Sequence, residues 1–182
     1  MTIQTPVIGP ALPLAVDALS LALYGPWSAS LGMVGLEIVQ EVRVWLPGRP
    51  VPKGRPRAWN SRIVTPPATR AFESQVAAAC RRVEIEVPTG DHIVVGAHVV
   101  AIHKRTGREM ARKRSGRLVK ARHRADLDNV IKSVLDGVQR SPLLVDDSHV
   151  VALHAWRTVA PPEVPKLEGV VLGLVWCRVL DG

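Results

Sequence analysis

Asp126 and Asp128 stand two residues apart in RADLDNVIKSVLDG (residues 124–137), and Lys132 follows the second of them at i+4. Another pair of acids, Asp146 and Asp147, comes shortly afterwards in LLVDDSHVV. One aspartate at the front of a helix is an ordinary N-cap, and its charge suits the positive end of the helix dipole. Lys132 one turn from Asp128 is an ordinary surface pair, worth ~0.3–0.5 kcal/mol. The second acid is surplus to capping and stands beside the first at a like-charge cost. Where the chain is extended the two side chains point the same way, because side chains alternate along a strand. A divalent cation would remove the repulsion. Mg²⁺ takes carboxylate and water oxygens, usually with one or two protein carboxylates and a phosphate. A short helix and turn could bring Asp147 back beside Asp126 and Asp128, and the three carboxylates are then expected to converge on one point. Carboxylate-held Mg²⁺ activates water and neutralises charge during phosphodiester hydrolysis. A lysine at the scissile phosphate adds electrostatic stabilisation, and Lys132 is placed for that.

The rest of the chain is basic. It has 182 residues, a net charge of +8 and a pI near 10.3. Such a balance favours an anionic partner, nucleic acid first and an anionic membrane surface second. Ten Lys or Arg fall between Lys104 and Arg124, against one acid, Glu109. Within this run Arg112, Lys113, Arg114, Arg117, Lys120 and Arg124 are spaced for phosphate contact rather than base reading. A second basic loop, RPVPKGRPRAWNSRIVTPP, carries Lys53, Arg55 and Arg57, and its Trp59 could stack on an exposed base. The other four tryptophans read as core or interface residues. The histidines are scattered; His92, His98, His103 and His154 lie in strand-like runs and read as structural, with no metal role. Cys80 and Cys177 have no CxxC partner, which speaks against structural zinc; two buried thiols are expected, with a disulfide between them left open.

These groups need a scaffold, and the periodicities supply one. LEIVQEVRVWLPG alternates apolar and polar residues and ends at a turn, as a half-buried strand does. ATRAFESQVAAACRRV has a helical stripe of Phe72, Val76, Ala79 and Cys80. HIVVGAHVVAIH reads as a buried strand. LDNVIKSVLDGV is the clearest helix, with Leu127, Val130, Ile131, Val134, Leu135 and Val138 on one face. HVVALHAWRTV and EGVVLGLVWCRVL close the chain as strands. The order β-α-β-α-β-β predicts a compact α/β (α+β) fold with a mixed sheet and two main helices. Two units are expected: an apolar, loosely attached extension over 1–35, and one domain over 36–182 with a basic loop at 104–124. Pro10, Pro13, Asp17 and Pro26 interrupt the extension, so it does not read as a membrane span, and it has no basic start of the signal-peptide kind. Met33, just ahead of the first clear strand, is a candidate translation start.

DLDNVIKSVLDGV followed by LLVDDSHVV resembles the signature of RusA-type Holliday junction resolvases. LPGRPVPKGRPR followed by TPPATRAFE is similar to the phage branch of that family. The resemblance covers about residues 36–182. It implies metal-binding carboxylates at Asp126, Asp128 and Asp147 and a catalytic lysine at Lys132. It implies Mg²⁺, with Mn²⁺ a possible substitute, and a homodimer that nicks opposing strands of a four-way DNA junction symmetrically. It also implies recombination or repair in the cytoplasm of a bacterial host, from a phage or prophage gene. Asp136 is then expected to orient Lys132, and Asp146 to cap or assist the second carboxylate. Two positions depart from the pattern: Ala125, where proline or a basic residue often stands, and His149, where the residue is often Gln. Two other readings remain open on the residues alone. One is a non-catalytic basic nucleic-acid-binding protein whose aspartates are caps and ion pairs. The other is an interaction protein that docks through its apolar N-terminal segment.

Overall fold

The computed structural model describes residues 7–8, 25, 28–54, 57–59, 62–90, 92–104 and 126–180. Along them run β1 (Val7–Ile8), β2 (Leu36–Pro47), β3 (Arg57–Trp59), β4 (Arg62–Val64) and helix α1 (Pro67–Arg81). Then come β5 (Ile93–His103), helix α2 (Leu127–Val138), a 3-10 turn (Asp147–His149), β6 (Val150–Val159) and β7 (Gly169–Val179). The main sheet has the order β1-β2-β7-β5-β6. β7 is antiparallel to both β2 and β5, while β5 and β6 are parallel. The mixed sheet and two main helices fall where the periodicities place them. The last strand enters the middle of the sheet, so β6 is left on its edge.

One face of the sheet carries the main core. Val42, Val44 and Leu46 of β2, Val99 and Ala101 of β5, and Leu172 and Leu174 of β7 are buried there. They meet Phe72 and Val76 of α1 and Val130, Val134 and Val138 of α2. The three α2 valines recur every four residues and are fully buried, while Leu127, Ile131 and Leu135 flank them half-buried. That stripe fixes the rotation of α2 and turns Asp128 and Lys132 outward. The two helices cross closely at Gly137, where a Cβ would lie 2.5 Å from the Val76 Cβ and 2.9 Å from the Glu73 carbonyl oxygen.

The opposite face packs Trp45, Val100, Ile102 and Val171 with Ala160. The Trp45 indole lies across Gly169, where a Cβ would come 2.1 Å from the ring. Leu31 is buried there too, against Val175 and Cys177. Together with the parallel pairing of Val7 and Ile8 beside Arg43 and Val44, this joins the N-terminal region to the sheet at two described places. Cys80 and Cys177 are both buried free thiols, one in the helix-side core and the other on the opposite face. Burial pushes their pKa values up, to about 12 and about 11.

The same face holds a polar group. Arg43 donates to Glu41 at 2.7 Å, both buried, and His98 Nδ1 lies 2.8 Å from His154 Nδ1 with the rings stacked. Burial first, then the neighbouring His154 and Arg43, lowers the His98 pKa to about 4. An unfolded histidine titrates near 6.5, so between these values the unfolded chain binds a proton that the folded chain refuses. Stability is therefore full above about pH 6.5 and falls as the pH drops toward 4. Chemical denaturation should record a loss of about 2 kcal/mol between pH 7 and pH 5, and most of that dependence should vanish in His98→Leu.

Candidate active site

Asp126 occupies the N-cap of α2 with extended backbone angles (φ −63°, ψ 137°). Its carbonyl accepts the first helical hydrogen bond, from the Val130 N–H at 3.2 Å, but its carboxylate makes no capping bond. The expectation that one acid of the pair would be used as a side-chain cap is therefore not met. Asp128 lies in the first turn, two-thirds exposed, and its carboxylate is 3.9 Å from the equally exposed Lys132 ammonium. At that distance and exposure the pair is a loose surface contact. The head of α2 thus presents two carboxylates and an ammonium to solvent, with only the loose Asp128–Lys132 contact between charged groups there among the described residues.

Beyond α2 the chain turns sharply, and Leu143 and Leu144 bury themselves in the main core. Ser141 holds the turn, donating to the Val138 carbonyl at 2.6 Å and accepting from the Leu143 N–H at 3.3 Å. This anchored turn delivers Asp146 and Asp147 to the start of β6, a strand that α2 packs against. The two acids have different local roles. Asp146 caps the 3-10 turn, its Oδ1 accepting from the Ser148 N–H at 2.8 Å, and hydrogen bonding from the Ser148 side chain first, then from that N–H, holds its carboxyl below the usual range. Asp147 is the first residue of the turn and is exposed. Among the described residues no three His, Cys, Asp or Glu side chains are grouped closely enough to hold a metal ion, Asp126, Asp128 and Asp147 included. The donor chemistry still suits a hard cation: Asp126 and Asp128 offer uncapped carboxylate oxygens, and Mg²⁺ ordinarily takes only one or two carboxylates and fills the rest with water and phosphate.

Asp136 does not orient Lys132. Its carboxylate accepts from the Lys53 ammonium, which also donates to Glu73 Oε1 at 2.6 Å. The other oxygen of Glu73 takes Arg140 Nη2 at 2.6 Å. Glu73 is completely buried, so its charge depends on these two cations. Burial by itself would lower the Lys53 pKa, but the hydrogen bonds to Asp136 and Glu73 together outweigh it and hold that pKa above the ordinary lysine value. Lys53, expected to line DNA, is thus engaged with two protein carboxylates. Glu73 and Arg140 were not anticipated from sequence. The available signal was position: Glu73 precedes Val76, Ala77 and Cys80 by three, four and seven residues, so a charge sits in the apolar stripe of α1.

The remaining basic candidates are not described in side-chain detail. Arg55, Arg112, Lys113, Arg114, Arg117, Lys120 and Arg124 lie outside the described residues, as does most of the 104–124 run. Arg57 opens β3, whose backbone pairs antiparallel with β4 through Arg57 and Val64, inside the loop that was expected to lack long regular structure.

A family model described as endodeoxyribonuclease RusA matches residues 47–168. The match contains the loop of Lys53, both helices and all four acids of the two pairs. No curated protein matches the chain.

Proposed function

Because the chain belongs to the RusA endodeoxyribonuclease family, and is on that ground an endodeoxyribonuclease of the Holliday junction resolvase type, we propose that it cuts four-way junctions with Mg²⁺ at the head of α2. The observation that carries this reading is the uncapped Asp126 beside Asp128, with Lys132 a turn away. Asp126 and Asp128 would hold the ion, Asp147 would join them as a third carboxylate only by moving closer than the described structure places it, and Mn²⁺ could replace Mg²⁺. The bound cation would neutralise charge on the phosphate and lower the pKa of water.

The chain's own residues supply the rest. Lys132 leaves its loose contact with Asp128 and meets the scissile phosphate, where its charge offsets the charge that builds in the transition state. Arg55, Arg57 and the basic residues from Arg112 to Arg124 hold the flanking phosphates, which sets register without reading bases. Two symmetric cuts need two sites, so the acting species is a homodimer. Junction resolution during recombination and repair is the role this activity would serve, in the cytoplasm of a phage-bearing or prophage-bearing bacterium. No helix among the described residues is long and apolar enough to cross a membrane.

The test is a gel assay with Mg²⁺ on a synthetic four-way junction and on linear duplex of the same sequence. Paired nicks in opposing strands of the junction, with the linear duplex left intact, are the expected result. Equal cutting of both substrates would sink junction selectivity.

A further inference from the structure

Lys53 lies along α2. Its backbone N–H donates to the Asn129 carbonyl at 2.6 Å, next to Asp128 in the first turn, while its ammonium reaches Asp136 in the third. The same ammonium meets Glu73 of α1, and Arg140, just past α2, closes the far side of Glu73. The neighbouring loop residues are tied to α1 as well. Thr69, almost fully buried, donates to the Pro52 carbonyl at 3.3 Å and accepts from the Gly54 N–H at 3.1 Å. Gly54 is required there, because a Cβ would sit 2.7 Å from the Pro66 ring. The segment from Pro52 to Gly54 is therefore bonded to both helices immediately before Arg55 and Arg57.

We propose that Lys53 is a positioning residue: through Asp136, Glu73 and Asn129 it fixes the basic loop onto the helix that carries Asp126, Asp128 and Lys132, and it does not itself bind DNA phosphate. This rests on reading those three residues as the cutting group. A lysine on phosphate needs its ammonium free at the surface, whereas this one is shared between two carboxylates. The loop that grips the substrate and the helix that cuts it are thereby held in one register. Small displacements between a bound substrate and a reacting group can cost about 10²-fold in rate.

The experiment compares wild type with Lys53→Met, Lys53→Arg, Asp136→Asn and the Lys53→Met/Asp136→Asn double variant, at a temperature where circular dichroism shows each folded. Single-turnover nicking at saturating junction should fall about 10- to 100-fold in Lys53→Met. Junction Kd and its salt slope should stay close to wild type. Lys53→Arg, which can also bridge two carboxylates, should recover most of the rate. Asp136→Asn should lose rate in the same direction, and the double variant should be little worse than Lys53→Met, because the two residues act as one unit. A salt slope reduced by about 1 in Lys53→Met would mean a phosphate contact and overturn the proposal. Losses that multiply in the double variant would overturn it too. Should wild type fail to nick, the reading of the cutting group fails first. Hydrogen exchange at the Lys53 amide then still decides the positioning role: faster exchange in Lys53→Met and Asp136→Asn alike supports it, and unchanged exchange in both rejects it.

Discussion

Asp128→Asn should stop junction nicking, with a loss of at least about 10³-fold, and leave junction binding intact. The substitution keeps the side chain's size and removes one charge. Asp128 is largely exposed and its ionic contact with Lys132 is loose, so among the described residues the fold has little to lose. Losing a negative charge in the first turn of α2 costs about 0.3–1 kcal/mol through the helix dipole. Binding, which the proposal assigns to arginines elsewhere, should hold or tighten, since one repulsive charge near the phosphates would be gone. Asp146→Asn provides the contrast. Asp146 is engaged in capping its own turn, and an asparagine caps nearly as well, so nicking should change only a few-fold. A metal-and-phosphate role separates the two aspartates, while a purely surface role treats them alike. The measurement is single-turnover nicking beside an equilibrium binding titration for each variant.

Gly137→Ala should destabilise the protein by about 2 kcal/mol, although alanine is the better helix former. In an exposed helix the change would stabilise by about 1 kcal/mol. Here the added methyl would meet the Val76 Cβ at 2.5 Å and the backbone oxygen of Glu73 at 2.9 Å. A backbone atom cannot rotate away, so α1 and α2 must separate. Overpacking of this kind costs about 1–3 kcal/mol, occasionally more, and it outweighs the helix gain. Separation also pulls Glu73 from Lys53 and Arg140, so part of the loss should appear as slower nicking in protein that is still folded. Thermal and denaturant melts give the stability, and nicking well below the melting temperature gives the second effect. A stabilised Gly137→Ala would show that the helix crossing is looser than described.

The elements were legible in the chain because burial repeats at the period of each structure. The four-residue recurrence of Val130, Val134 and Val138 fixes α2 and its buried face. The alternation through Val42, Val44 and Leu46 does the same for β2. Order across the sheet was less legible, since nothing in GVVLGLVWCRV says that its strand enters between β2 and β5 rather than at an edge. The hairpin of β3 and β4 was hidden by the prolines and glycine around it, although RAW and RIV are short β-prone runs. At the site, residue types and spacing pointed to Asp126, Asp128 and Lys132 at the head of α2; the expected convergence of Asp147 on the two acids is not seen among the described residues, because spacing does not say where the turn after α2 sets its carboxylate down. Partner choice was not legible. Asp136 is one turn past Lys132 in sequence, so the local pairing looked natural; the tertiary approach of Lys53, 83 residues away, took that carboxylate instead. Likewise the uncapped state of Asp126 depends on how the carboxylate is turned, which spacing does not encode.

The most direct measurement of the central claim is nicking of a four-way junction by wild-type protein with Mg²⁺ supplied and with all divalent metal chelated. Binding is followed in parallel by mobility shift. The account predicts paired symmetric nicks with Mg²⁺ and none under chelation, with the junction bound in both. Cutting that persists undiminished under chelation would contradict a metal at Asp126 and Asp128. Firm binding with no cutting in Mg²⁺ or Mn²⁺ would contradict it equally, and would leave those aspartates as surface charges of a protein that only binds DNA.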